Sequence, residues 1–478
     1  MTRLLQVRRP AVRTAARMDL HDRRRLALLT ACALMVRGVV VSQTVDMPGD
    51  APARAVLAYA WSLHPCWMGG GVWLPLGTYV SGLADLIWLH PAWVTRLLDV
   101  VLGTLCIPLY VLLVRQTFDM RTAWGSGLVL ACLPLHVALS ASSMTEMLFH
   151  SLLLGALLLL CHRRLVGATG LLVAAEMTRY EAWAIAPFCL LAVAAETREW
   201  RPVAVAAVVL ALFPLYWLTD SARMFGSVWY IAEQGLRGPE FARPALTWPM
   251  ALLDLLRKSA GHVGWGLLIL MGLGIGRGLR APAPTGRRVL YGFACFTTFL
   301  NLRMLSHNGG LLWDRHLLLM LMLWLPFGLY QIPAAWSSRA RVALAVLLAG
   351  SLALSSGSYV PDQRYVTRDT LAPVRRVVSW LRDSPYRDAA ILLTRCDWMS
   401  TYVPLYYPPA ASQNLIVSEW IRDVELQQFV TQHRPPIVIT ALGDADILQR
   451  IEVVGHCHIQ RDAPLLQAAP FIIYRINP

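Results

Sequence analysis

Asp46-Met-Pro-Gly-Asp50-Ala-Pro-Ala-Arg54, then Ala55 through His64-Pro65, then Trp67-Met-Gly69-Gly70-Gly71-Val-Trp73-Leu-Pro75, and on to Arg96: this stretch decides how the chain is read. It follows directly on Leu26–Val45, the first apolar run long enough to cross a bilayer. It holds two acids four residues apart, a His-Pro, a Gly-Gly-Gly and several Trp. A polar loop of this kind, set immediately after a membrane-length segment, is where a membrane scaffold would present chemistry at its surface. The loop 46–95 is therefore expected to carry the function.

The rest of the chain fits that scaffold. Of 478 residues, 56% are hydrophobic and 15% charged, with a mean hydropathy of +0.49. Soluble domains carry about 25% charged residues. Further apolar runs lie near 95–114, 122–139, 147–161, 165–178, 182–196, 202–219, 260–276, 288–303, 316–333 and 342–357, so about eleven spans are expected. The segment 74–89 is apolar but short and opens at Pro75; it reads as a juxtamembrane helix. With 74–89 on the surface, Arg115, Arg121, Arg163, Arg164, Arg198, Arg201, Arg277, Arg280, Arg287, Arg288, Arg339 and Arg341 all fall on one side, as the positive-inside rule requires. The N-terminus is then inside and the C-terminus outside. The net charge of +14 reads as topology signal and contact with anionic membrane lipids, and no nucleic-acid partner is expected. Arg37 lies inside the first segment, toward its outer end, where it either snorkels to the interface or serves a function.

Three parts follow. Residues 1–25 form a basic cytoplasmic arm. Residues 26–357 form a polytopic α-helical membrane module. Residues 358–478 change character: strand-length apolar runs (Ala390–Thr394, Leu415–Ser418, Ile437–Thr440, Phe471–Ile476) alternate with helix-like stretches (Ala372–Leu381, Glu419–Thr431). That alternation predicts a small α/β domain outside the membrane. Nine Cys are scattered without any C-x-x-C pair; Cys396 and Cys457 could pair in an exported domain.

On the expected outer face lie Asp46, Asp50, Glu146, Arg179-Tyr180-Glu181, Arg303, His307, Asp314, Arg315 and His316. Charges at such depths are candidate functional groups. A carboxylate in a partly dry site can accept a proton from an attacking hydroxyl or amine. Arg can hold a phosphate through charge-assisted bonds and stabilise it as it leaves. An external face has no nucleotide supply, so a phosphorylated donor there would be lipid-borne. The same charges at helix breaks would also suit a transporter or flippase of lipid-linked substrates, which needs no base.

The arrangement resembles the GT-C superfamily of membrane glycosyltransferases, in particular its protein O-mannosyltransferase and aminoarabinose transferase branch. The features that carry the resemblance span nearly the whole chain. They are the acidic first loop Asp46–Arg54, the helix leading to His64-Pro65, the segment Gly69–Pro75, Arg96 opening the next span, Met-Thr-Arg179-Tyr-Glu-Ala-Trp, Trp-Asp-Arg315-His, and the α/β tail. The resemblance implies an inverting glycosyltransferase using a polyprenyl-phosphate sugar donor and a protein, lipid or glycan acceptor, in a bacterial-type cytoplasmic (inner) membrane. It implies Asp50, with Asp46 second, as the base, and Arg179, Arg315 and Arg96 as ligands of the donor phosphate. Glu146, Tyr180, Glu181 and His64 would support them. No metal is required, although a divalent ion between Asp50 and Glu146 is compatible with the resemblance. The chain departs from the adjacent acid pair of that superfamily, because Ala51 follows Asp50. Plainer readings stand beside these: His64-Pro65 as a helix stop, Gly69–Gly71 as a turn, and the Trp residues as an interfacial belt.

Overall fold

A computed structural model describes residues 18–45, 50–88, 91–198, 200–230, 244–278, 285–307, 312–332, 350, 371–394, 402–406, 415–417, 423–441, 445–469 and 471–477. Asp46, Cys396 and nearly all of the expected span 342–357 lie outside these residues.

The membrane module is helical. Its elements are α1 (Leu20–Gln43), α2 (Asp50–Leu63), α3 (Pro75–Ile87), α4 (Pro91–Thr117), α5 (Met120–Cys132), α6 (Pro134–Ser140), α7 (Glu146–Cys161), α8 (Leu165–Glu176), α9 (Glu181–Thr197), α10 (Trp200–Phe225), α11 (Trp248–Gly278), α12 (Thr285–His307) and α13 (Asp314–Leu329). Among the described residues, five helices are long and apolar enough to cross a membrane (α1, α4, α10, α11, α12). A sixth span results if α5 and α6 are one broken span, bent by 60°. The break follows from Pro134, which lacks an N–H and keeps Leu133 extended at ψ 117. α11 kinks at Gly264, whose φ of 75° is open to glycine without strain.

The expected count of eleven is thus met only in part. α7, α8 and α9 are helices as expected, but of 16, 12 and 17 residues. At 1.5 Å per residue they reach about 24, 18 and 26 Å, short of the ~30 Å hydrocarbon core. α7 and α8 are joined by a tight turn at Arg163 (φ 58°), so their other ends, Glu146 and Glu176, lie together. α3 has 13 residues and is not long enough to span.

Arg37 does not snorkel. It is fully buried and donates to the Ala33 carbonyl at 2.8 Å and, at 2.6 Å, faces His136 Nδ1 at the start of α6. A cation that finds acceptors within the bundle need not reach for the interface.

The C-terminal part is α14 (Ala372–Asp383), β1 (Ile391–Leu393), α15 (Tyr402–Tyr406), β2 (Leu415–Val417), α16 (Asp423–His433), β3 (Ile437–Ala441), α17 (Ala445–Gly455), β4 (His458–Gln460), β5 (Leu466–Ala468) and β6 (Phe471–Asn477). The sheet runs β2-β1-β3-β6-β4, with β5 also on β6. β1 pairs in parallel with β2 and β3; β6 pairs antiparallel with its neighbours. Side chains alternate faces along each strand. Ile391, Leu393, Ile437 and Ile439 meet α14 through Val374, Val377 and Leu381, while Leu392 and Val438 meet Leu426, Phe429 and Ile451 of α16 and α17. Helices cover both faces, so these strands read as unbroken apolar runs rather than alternating ones.

The α/β part sits on α2. Val45, Ala55 and Val56 share one apolar cluster with α14, β1, β3 and Tyr402 of α15. Ala51, one turn earlier on α2, belongs to the core of the helical bundle. The first loop and the tail are therefore on the same end of the molecule.

Candidate functional site

A cavity of about 760 Å³ opens at that end, where α2, α7, the α8–α9 turn, α12 and the start of α13 converge. Its polar lining includes Asp50, Arg54, Glu146, Arg179, Arg315 and His316; Phe149, Ile185, Leu300, Met304 and Leu319 give it an apolar wall.

Each polar residue is placed by a chain break. Asp50 opens α2, where the partial positive charge of the helix N-terminus favours a carboxylate. Arg54 follows one turn later on the same face. Glu146 opens α7, and Arg179 sits in the turn between α8 and α9, just ahead of Glu181. Arg315 and His316 lie in the first turn of α13.

Two groups of charges form. In the first, Arg179 is gripped on both sides. One guanidinium nitrogen bonds Glu146, and the others reach both oxygens of Glu181, with Nη2 at 2.6 Å from Oε1. His316 Nδ1 lies 2.9 Å from the same Glu181 oxygen. Burial alone would lower the Arg179 pKa, but Glu181 and Glu146 outweigh it and raise it. In the second, Arg315 donates to Asp50 Oδ2 at 2.9 Å. Its Nε stands 3.8 Å from Glu146, which links the groups. Burial pushes the Asp50 carboxyl up, yet the guanidiniums of Arg315, Arg54 and Arg179 prevail and hold it below the usual carboxylate range. Asp50 therefore stays ionised. Its side chain is 34% exposed, against 28% for Glu181 and 1% for Glu146; Glu181 is engaged by Arg179 and His316, which leaves Asp50 the cavity carboxylate most open to an incoming group.

Tyr180 braces the loop that roofs the cavity. Its hydroxyl donates toward the carbonyls of Gly71 and Val72, at 3.2 and 3.1 Å, and accepts from Trp217 Nε1 at 3.1 Å. Gly71 has φ 106°, which explains a glycine at that turn. The turn presents Trp73, and the Arg54 guanidinium lies 5.1 Å from the centre of that ring.

Of the residues singled out in the sequence, Asp50, Glu146, Arg179, Tyr180, Glu181 and Arg315 line one cavity. Asp46 lies outside the described residues. His64 does not reach the cavity; it is exposed, just past the end of α2 at Leu63, where Pro65 stops the helix. Arg96 is also elsewhere. It is buried, with Nε donating to the Ala141 carbonyl at 2.9 Å and its other nitrogens to Thr44 at 2.9 and 2.7 Å. Asp99, one turn further on, accepts from the Met144 amide at 3.0 Å, and Thr95 meets Ser143 at 2.6 Å. The first turns of α4 thus clamp the loop 141–145 that delivers Glu146.

Arg54 is the cavity residue that sequence reasoning passed over. Its signal was present: an Arg four residues after Asp50, hence one helical turn away. Among the described residues no group of three or more His, Cys, Asp or Glu could hold a metal ion. Asp50 and Glu146 do not fit a shared divalent ion, because Arg315 reaches toward both carboxylates.

No family model and no curated protein matches the chain by sequence. By structure it is similar to ArnT from Cupriavidus metallidurans bound to undecaprenyl phosphate, with a TM-score of 0.64 at 13% identity, covering 94% of this chain and 97% of that one. It is also similar to the archaeal oligosaccharyltransferase AglB from Archaeoglobus fulgidus in complex with an inhibitory peptide and a dolichol-phosphate, with a TM-score of 0.57 at 12% identity over 92% and 72% of the two chains. At these identities the likeness speaks for the fold alone: the helical module and its α/β part are arranged as in those two membrane proteins.

Proposed function

We propose that the chain is a membrane glycosyltransferase that moves a sugar from a polyprenyl-phosphate donor to an acceptor of the cell envelope on the outer face of the membrane. The observation that carries this reading is the half-open, ionised Asp50 beside Arg54 and Arg315 in a cavity with an apolar wall. The fold similarity to a chain bound to undecaprenyl phosphate points the same way.

The chemistry then runs as one displacement. An acceptor hydroxyl or amine attacks the anomeric carbon of the donor sugar. The bond from that carbon to the phosphate oxygen breaks, and its electron pair leaves with the lipid phosphate. Asp50 takes the acceptor's proton. Attack opposite the leaving group inverts the anomeric centre. The guanidiniums stabilise the charge gathering on the phosphate, in a site that excludes bulk water. Glu146 and Glu181 fix Arg179 and, through it, the shape of the cavity floor.

The test is release of free polyprenyl phosphate from a radiolabelled polyprenyl-phosphate sugar by membranes holding the protein. Wild type should release it with the sugar moved to an acceptor, and Asp50→Asn should lower the rate by about 10²–10⁴-fold. Unchanged release by Asp50→Asn defeats the assignment of the base. Passage of intact donor across the bilayer with no bond broken supports a flippase instead.

A further inference from the structure

The cavity's cations are not equivalent. Arg179 is held by two glutamates, and Arg315 by Asp50 with Glu146 behind it. Among the described residues neither Arg54 nor Arg303, which also lines the cavity, has a carboxylate within ion-pair distance, but Arg54 alone of the two lies one helical turn from Asp50, and its Nε is shielded from solvent with no hydrogen-bond partner. Burial lowers its pKa more than Asp50 and Glu146 restore it, so Arg54 is a cation in want of a close anion. Yet its place is firmly fixed. The Trp73 ring lies under its guanidinium at 5.1 Å, a cation–π contact that orients the plane. Its backbone is in α2, held by the bundle through Ala51 in the first turn and by the α/β part through Ala55 and Val56 in the next. An oriented guanidinium with donors to spare is suited to two-pronged binding of a phosphate.

We propose that Arg54, seated on Trp73, is the residue that receives the phosphate of the lipid donor. This rests on the glycosyltransferase reading above and assigns the phosphate to a residue outside the trio Arg179, Arg315 and Arg96. One helical turn separates Arg54 from Asp50. A phosphate held there lies close to the base, and it draws positive charge away from the Asp50 carboxylate. Donor binding therefore makes Asp50 a better proton acceptor at the moment it is needed. Arg179, already saturated, keeps its glutamates and holds the cavity's frame.

The experiment measures binding of undecaprenyl phosphate, and of uncharged undecaprenol as control, to the purified full-length protein in detergent. Wild type should prefer the phosphate. Arg54→Gln should weaken phosphate binding by about tenfold to a hundredfold, as loss of charge-assisted bonds does, and leave undecaprenol binding unchanged. Arg54→Lys should fall between them, since it keeps the charge and loses the fork; it carries the test if the glutamine variant does not fold. The pH profile of kcat/KM adds a readout: without the Arg54 cation, the Asp50 limb should move to higher pH. Wild-type affinity in Arg54→Gln or in Arg54→Lys overturns the assignment while leaving the glycosyltransferase reading intact. A wild-type protein that cannot tell undecaprenyl phosphate from undecaprenol sinks both.

Discussion

The two halves of the charged cavity use the same side-chain chemistry to opposite ends. Around Arg179, one guanidinium meets two carboxylates and a histidine; Glu146 is 1% exposed, Arg179 11% and Glu181 28%, with the Glu181 oxygens already engaged by Arg179 and His316. Around Asp50, one carboxylate lies near two guanidiniums, Arg315 paired with it and Arg54 without an ion pair among the described residues, and stays 34% exposed. A cation with its acceptors filled is a strut. A carboxylate still reachable, beside a cation still unfilled, can take part in a reaction. Buried pairs lose much of their Coulomb gain to desolvation, but removing one partner leaves a stranded charge. The first group should therefore answer mutation mainly through stability, and the second mainly through activity.

The sharpest way to break that contrast is Asp50→Asn. We expect about 10²–10⁴-fold less transfer with only a small fall in the thermal midpoint of the purified protein, because the half-open ion pair to Arg315 is partly screened by solvent and Glu146 stands behind it; a fall as large as that of Glu146→Gln would make Asp50 a strut as well. Glu146→Gln should do the reverse. Loss of one carboxylate from a buried pair costs about 3–5 kcal/mol, so the midpoint should drop by several degrees, and donor affinity in the surviving folded fraction should hold. Retained stability together with lost affinity would move Glu146 into the reactive half.

A smaller effect separates positioning from binding at Arg96. Arg96→Gln loses bonds to Ala141 and Thr44, and we expect about 1–3 kcal/mol less stability with unchanged affinity for undecaprenyl phosphate. Donor affinity that collapses in this variant would restore Arg96 to the phosphate site. A last effect, confined to neutral and alkaline pH, lies outside the cavity, at Asp85 on α3. Its two oxygens are buried without a hydrogen-bond partner among the described residues, and burial pushes its carboxyl up from 3.8 to about 7. The folded chain thus keeps a proton that the unfolded chain gives up, and stability falls as pH rises from about 4 through 7. Asp85→Asn should melt higher than wild type at pH 8, and the two should coincide at pH 4.

Much of this was legible in the sequence because its physics is local. Hydrophobic runs of bilayer length, the helix stop at Pro65 and the strand-length runs near 391, 415, 437 and 471 each depend on neighbours a few residues away. The convergence of Asp50, Glu146, Arg179 and Arg315 was also anticipated, through the sidedness of the Arg-bearing loops. What stayed hidden depends on distant partners. Arg96 and Arg315 are both Arg at the start of an apolar helix, yet one faces the Ala141 carbonyl and Thr44 while the other faces Asp50. Nothing within a helical turn of either residue tells them apart. Arg37 stays open in the sequence between snorkelling and a function for the same reason, since His136, its partner, lies ninety-nine positions away. The strands β4 (His-Ile-Gln) and β5 (Leu-Gln-Ala) are no shorter than β1 and β2, but they mix polar with apolar residues and so offer no apolar run to read.

α2 has only 14 residues, and three masters. Asp50 and Arg54 answer to the cavity, Ala51 to the bundle, and Ala55 and Val56 to the α/β part. Tolerance to substitution along this helix should therefore change from one residue to the next. A lineage that altered the α/β part to suit a new acceptor would have to do so under a nearly frozen docking face of Ala55 and Val56. Diversification should then gather on the far side of the sheet and in its loops, while α2 stays almost still.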